Sequence, residues 1–360
     1  MKFSLVPAVL AVIISLAGFT PAKDNKNRGD TKSSEKIERT MPIDSHASIT
    51  LCVMSGKIVV RGWEKNELRV RSTDADQLEF RPIDKAKEAT TPATRVDVMV
   101  NDKHTPRGDC QALADVEMDV PKDATVQVQT RDGDIFITGV AGAYAGSQNG
   151  DIMIDHVSSF VEAGSVGGSI SLENSTGRVS LSSAGGGVEV ANVKAVTDDD
   201  TFEVGTVSGD IQLNQISNPK VSTKTVNGAV TLSGPLARAG NYSFTTMGGD
   251  VVLMIPTSSS FTLNAKVSQT SDIVSDFPLK YTSEMPSGMP APKPMAEPAP
   301  PTPKAKMKEP KTGGPVIAPI VVVRPVVVIN PFRRITAVYG SGDATISLNS
   351  FGGTLRLKKM

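Results

Sequence analysis

One short unit recurs along residues 130–253 and limits what this chain can fold into: a turn closed by Gly, often followed by Asp, then apolar, any residue, apolar. It stands as Gly133-Asp134-Ile135-Phe136-Ile137, Gly150-Asp151-Ile152-Met153-Ile154, Gly168-Ser169-Ile170-Ser171-Leu172, Gly177-Arg178-Val179-Ser180-Leu181, Gly209-Asp210-Ile211-Gln212-Leu213, Gly228-Ala229-Val230-Thr231-Leu232 and Gly249-Asp250-Val251-Val252-Leu253. In a strand, residues two apart share a face, so each unit buries one edge of aliphatic side chains. Gly permits a positive φ and Asp can bond neighbouring amides, so Gly133, Asp134, Gly150, Asp151, Gly209, Asp210, Gly249 and Asp250 read as structural corners. Corner spacings of 17 (133 to 150), 18 (150 to 168), 22 (187 to 209), 19 (209 to 228) and 21 (228 to 249) give a period of about 20 residues holding two short strands.

One such unit cannot fold alone. About four inward aliphatics per unit contribute roughly 6–12 kcal/mol of burial, against at least about 1 kcal/mol per residue of lost backbone freedom. Stacked units share one apolar column, the logic of repeat stability. The fold class expected is therefore all-β: a parallel β-solenoid with about 20-residue coils, irregular N-terminal cap strands and a C-terminal closing coil. An antiparallel sandwich of hairpins is the competing architecture. It does not require one corner sequence to recur.

Residues 1–22 read as a signal peptide: Lys2, an apolar run from Leu5 to Phe19, then Thr20-Pro21-Ala22. Phe19 stands where a lipidated Cys would follow Leu16-Ala17-Gly18, so a lipoprotein is not expected. The chain is expected to be exported to the periplasm or cell surface, with no transmembrane segment after signal cleavage. Residues 23–44 read as a charged flexible spacer, 45–129 as cap strands and first coils, 130–282 as the repeat solenoid, 283–334 as a Pro-rich insert and 335–360 as the closing coil.

Here a resemblance becomes specific. Ser55-Gly56-Lys57-Ile58-Val59-Val60-Arg61-Gly62-Trp63, then Val120-Pro121-Lys122-Asp123-Ala124-Thr125-Val126, then the Gly133-Asp134-Ile135 series, resemble the bacterial putative-adhesin domain family of unknown function, whose members carry Gly-Asp-Ile repeats. The resemblance covers about Ile49 to Leu279 and resumes from Tyr339-Gly340-Ser341-Gly342-Asp343-Ala344 through Gly353-Thr354-Leu355-Arg356-Leu357. It implies an extracytoplasmic β-solenoid with no assigned catalytic residues. The long insert departs from the family pattern. It holds 13 of the 24 prolines, and its second part, Val316 to Ile329, is apolar and β-prone with one charge, Arg324. That part reads as lying along a solenoid face or edge, or as a self-association strand over 316–330.

Equal numbers of basic and acidic residues, 38 each, remove the electrostatic case for nucleic acid. Stacked acids at Asp134, Asp151, Asp210, Asp250 and Asp343 could bind calcium, but the tandem nonapeptide of calcium-binding rolls is missing, and a turn role is favoured. Asp198-Asp199-Asp200 reads as a solvated loop, with a single cation site as the alternative. His46, His104 and His156 lack metal-motif spacing. Cys52 and Cys110 can close a disulfide in an exported chain, while Cys52 alternates out of phase with Leu51 and Val53, which leaves a free pair open. No catalytic residue, cofactor or metal is expected.

Two function classes follow. One is a non-catalytic envelope or surface module that offers Ser171, Asn174, Ser180, Ser182, Thr223 and Thr225 to a glycan, matrix or another envelope protein. The other is a polysaccharide-cleaving β-helix enzyme, which needs acids converging on one outward column. An accessory role in envelope-stress signalling leaves no residue-level trace.

Overall fold

The structure is a computed structural model that describes residues 36–73, 75–83, 92–101, 110–268, 271–282 and 332–360. The signal segment, most of the spacer, the Pro-rich insert up to residue 331 and His104 lie outside the described residues.

Among the described residues every regular element is a strand. Each full turn of the chain places one strand in each of two sheets, A and B. In sheet A the first apolar residue of the repeat pairs, coil upon coil and always parallel, as Ile58↔Ile135↔Ile152↔Ile170↔Val188↔Ile211↔Val230↔Val251↔Leu355. Sheet B repeats the logic as Ile49↔Val126↔Ala143↔Val161↔Val179↔Phe202↔Val221↔Tyr242↔Ile346↔Leu263. Within the run of consecutive coils the sheet A partners are 17 (135 to 152) to 23 (188 to 211) residues apart. The pairing is parallel where a sandwich of hairpins would be antiparallel.

The two inward faces close on one core. Sheet A supplies β-branched and Leu pairs such as Ile152 with Ile154 and Ile211 with Leu213, all buried. Sheet B varies in size along the stack, from Ala143 and Ala145 to Phe202, Tyr242, Phe244 and Phe261. Tyr242 can be wholly buried because its hydroxyl accepts the Ala237 N–H at 2.6 Å; burial raises its pKa, partly offset by that bond. Thr223 and Thr225, expected on the outward face, are buried instead. The strand Lys220–Thr225 turns Val221, Thr223 and Thr225 inward and Ser222 and Lys224 outward, continuing the column Val204↔Thr223↔Phe244.

The order of coils in space departs from their order in sequence at both ends. The coil formed by residues 43–63 lies between the later coil Ala93–Asn101/Val116–Pro121 and the coil Thr125–Asp132/Ile135–Thr138. Likewise the C-terminal coil, Ala344–Ser350/Leu355–Lys359, is inserted between Asn241–Thr246/Val251–Ile255 and Phe261–Ser268/Ile273–Ser275. Antiparallel strands then cover the ends. At the N-terminal end Ile37–Pro42 pairs with Glu67–Ser72, which pairs with the edge of sheet A, where Asp119 accepts from Arg69 and Arg71 at 2.8 and 3.0 Å. Gln77–Pro82 covers sheet B there. At the other end Phe332–Tyr339 runs antiparallel to Phe261–Ser268 and carries Lys280–Thr282 on its far side. Such covers interrupt the parallel template that an open stack would present.

Two boundaries move accordingly. Among the described residues the first strand begins at Ile37, inside the stretch expected to be spacer, and Ile37 and Met41 pack against the core. The last strand group begins at Phe332, within the expected insert. Cys52 and Cys110 are joined by a disulfide with Cα atoms 4.7 Å apart.

Candidate functional site

The corner between sheet B and sheet A is the most repetitive part of the structure, and its glycines have a reason other than the expected one. Gly133, Gly150, Gly168, Gly209, Gly228 and Gly249 do not have positive φ. A Cβ on Gly150 would stand 1.9 Å from the Gly133 carbonyl oxygen, and one on Gly249 1.8 Å from that of Gly228. The constraint is close approach of stacked backbones. The same test places the corner of one coil at Gly186, whose Cβ would meet the Gly168 oxygen at 2.2 Å, and not at Gly187.

A hydroxyl stands three residues before these glycines. Ser147 Oγ accepts the Gly150 N–H at 2.8 Å and donates to the Gly133 carbonyl at 3.2 Å; Ser165, Ser183 and Thr206 repeat both bonds. The spacing Ser/Thr-x-x-Gly is the sequence signal for this ladder, and it stands beside the Gly-Asp pattern rather than within it. The corner acids add a second ladder: Asp134 Oδ1 accepts the Asp151 N–H at 3.0 Å, Asp151 that of Ser169 at 2.7 Å, Asp210 that of Ala229 at 2.8 Å and Asp250 that of Thr354 at 2.7 Å. Each carboxylate is therefore spent on an amide one coil away. Asp343 is not a member; it precedes a sheet B strand and accepts from Ser341.

The other acids and histidines resolve similarly. Asp200 closes a local turn by accepting from the amides of Thr197 and Val196, bonds that hold its carboxyl below the usual range, and Asp199 meets Lys220 at 3.0 Å. His156 lies 2.7 Å from Asp155. Burial opposes ionisation of Asp155, but hydrogen bonds from Asn174 and His156 outweigh it and keep the carboxyl low. A carboxyl so held is a poor proton donor. His46 is exposed beside Ser45. No group of three or more His, Cys, Asp or Glu residues among the described residues could hold a metal ion.

The outward faces of both sheets are open, and that of sheet B carries two regular columns. Its central column reads Gln127↔Tyr144↔Glu162↔Ser180↔Glu203↔Ser222↔Ser243↔Ser347↔Asn264. Beside it the column Gln129↔Gly146↔Gly164↔Ser182↔Gly205↔Lys224 lacks side-chain bulk at three positions. A shallow trough of about 280 Å³ results, lined by Gln127, Gln129, Tyr144, Glu162, Ser180 and Ser182 among others. At one wall Phe160 lies over Gly142, where a Cβ would be 2.4 Å from its ring, and Tyr144 packs beside it with ring centres 4.9 Å apart. Glu162 and Glu203 are two ladder steps apart, about 10 Å, with Ser180 between them. On sheet A a second concavity of about 480 Å³ is lined by Phe136, Met153, Arg61 and Glu173, with Lys57 Nζ 4.5 Å from the Phe136 ring centre. Ser171, Ser180 and Ser182 face outward as expected, and Asn174 is exposed at a strand end.

Coil upon coil in register, with two sheets around one apolar column, defines a parallel repeat protein of the solenoid class. The chain belongs to the Toastrack DUF4097 family, whose family model matches residues 22–285. Solved structures similar to it include a putative adhesin of Parabacteroides merdae (11% identity, 62% of this chain and 91% of that chain, TM-score 0.39). Two others, both of Parabacteroides distasonis, are a putative adhesin (10% identity, 63% and 92%, TM-score 0.36) and a putative lipid binding protein (14% identity, 61% and 89%, TM-score 0.35). No curated protein matches the sequence.

Proposed function

We propose that the chain is a non-catalytic, exported binding module of the cell envelope, and that it recognises a hydroxyl-rich polymer such as a glycan along the outward face of sheet B. The observation that carries this reading is the trough floored by Gly146 and Gly164 and walled by Tyr144, Gln127 and Glu162. An aromatic face beside amide and carboxylate groups offers apolar contact to a sugar ring and acceptors to its hydroxyls. The in-register stack lets one ligand chain touch several coils.

A second reading is favoured by one observation: Glu162, which lines the trough, and Glu203, which lines the next concavity of about 160 Å³, stand in one outward column, as a glycan-cleaving pair would. Their separation of about 10 Å falls at or beyond the wide limit for an acid and base flanking a bond. The two readings separate on one experiment. The mature protein is screened against glycans and matrix polymers for binding and for turnover, beside Tyr144→Ala and Glu162→Gln. Binding reduced about tenfold or more by Tyr144→Ala, with no product formed, supports the module. Product formation abolished by Glu162→Gln replaces it with the enzyme.

A further inference from the structure

The residue that follows the corner hydroxyl forms a column of its own. Coil by coil it is Arg131, Gln148, Val166, Ala184, Val207, Val226, Met247 and Phe351, so the position is polar in the first two coils and apolar in the next six. Val166 is 60% exposed, Val207 49%, Met247 54% and Phe351 47%. They are stacked by backbone bonds, for example the Val166 N–H to the Ser147 carbonyl and the Phe351 N–H to the Thr246 carbonyl. The residues beside them are Gly167, Gly185, Ser208, Asn227, Gly248 and Gly352, so the ridge stands clear of large side chains. A continuous exposed apolar strip of this kind marks a contact surface.

The strip ends where the insert rejoins the fold. Phe332, the first described residue after it, pairs with Ser268, and its ring meets that of Phe351 edge to face with centres 4.9 Å apart. The chain immediately before Phe332 is the apolar run Val316–Ile329. From Phe332 to Met247 is three ladder steps, about 14 Å, and to Val166 seven, about 34 Å. An extended chain covers those distances in about five and ten residues, which brings Val327 and Val322 opposite them. The apolar run is long enough for the whole strip and shares its chemistry.

We propose that Val316–Ile329 docks in extended form along the corner ridge, running from Phe332 towards Val166 and covering Met247, Val226 and Val207 on the way. Its prolines suit this role, since contact through side chains does not need their missing amide protons and polyproline geometry is already extended.

Cysteine pairs test it in the full-length chain, with a short thiol-specific cross-linker that leaves the Cys52–Cys110 disulfide untouched. Met247→Cys with Val327→Cys, and Val166→Cys with Val322→Cys, are expected to cross-link within one chain at yields independent of protein concentration. The crossed pair, Val166→Cys with Val327→Cys, is expected to fall at least fivefold below them. Adding Val207→Asp and Val226→Asp, at partly or fully exposed positions, should cut the Val166/Val322 yield by a similar factor with the β-sheet spectrum unchanged. Cross-links between chains would assign the ridge to a second copy and overturn the proposal. Equal yields for all pairs, or none, would overturn it as well.

Discussion

At the scale of single residues, the corner glycines separate two explanations that predict opposite signs. Where a glycine's φ suits any residue, Gly→Ala is expected to stabilise by about 0.4–1 kcal/mol through the unfolded chain. Gly150 has no positive φ, yet its Cβ would meet the Gly133 oxygen at 1.9 Å. Gly150→Ala is therefore expected to destabilise by about 3 kcal/mol or more, read from urea unfolding with the wild type alongside; a stabilised variant would show that the coils separate freely. Thr223 offers the reverse case. It is fully buried in the aliphatic column and its hydroxyl has no partner, so the near-isosteric Thr223→Val is expected to stabilise by about 1 kcal/mol, seen as a higher unfolding midpoint. Alternation from Val221 puts Thr223 on the inward face despite its hydroxyl, and the register with Val204 and Phe244 agrees with that phase.

At the scale of elements, the informative ones are the inserted coils. The strands Ala344–Ser350 and Leu355–Lys359 flank the same corner as the other coils, and their docking as a coil was legible in Gly353-Thr354-Leu355-Arg356-Leu357. Their place was not. Sequence order puts the last coil outermost, whereas it sits one coil in, with Ile346 between Tyr242 and Leu263. Deleting Ala344–Met360 should remove the strand that pairs with Ile273–Ser275 and leave Phe261–Ser268 bonded only to its antiparallel cover. Amide exchange over residues 261–282 is expected to accelerate by at least tenfold, while coils between Thr125 and Val193 keep their protection, as nearest-neighbour stability requires. Uniform loss across all coils would mean the stack behaves as a single cooperative block.

At the scale of the whole molecule, the disulfide ties Cys52, in the coil of residues 43–63, to Cys110, between the two strands of the outer coil stacked on it. It closes a loop of 58 residues, for which the chain-entropy account gives on the order of 4 kcal/mol. Cys52→Ser with Cys110→Ser is expected to lower the stability of the N-terminal coils by about 2–4 kcal/mol, measured as exchange at Ile58, Val60 and Val116, with little change at Val230 or Val251. The pattern written into the chain was enough for the strand faces, the parallel stacking and the corners: apolar residues at period two and a Gly, often followed by Asp, at each bend recur along the sequence itself. What only the tertiary structure decided were the features that depend on which coil lies next to which. These are the need for Gly by close approach, the hydroxyl ladder beneath it, the two coils slotted out of order and the apolar ridge that Phe332 caps. Each arises from contacts between residues 15 to more than 100 positions apart, as in the bonds from Ser165 to Gly150 and from Thr354 to Asp250, and a pattern read along one strand carries no record of its neighbour across the stack.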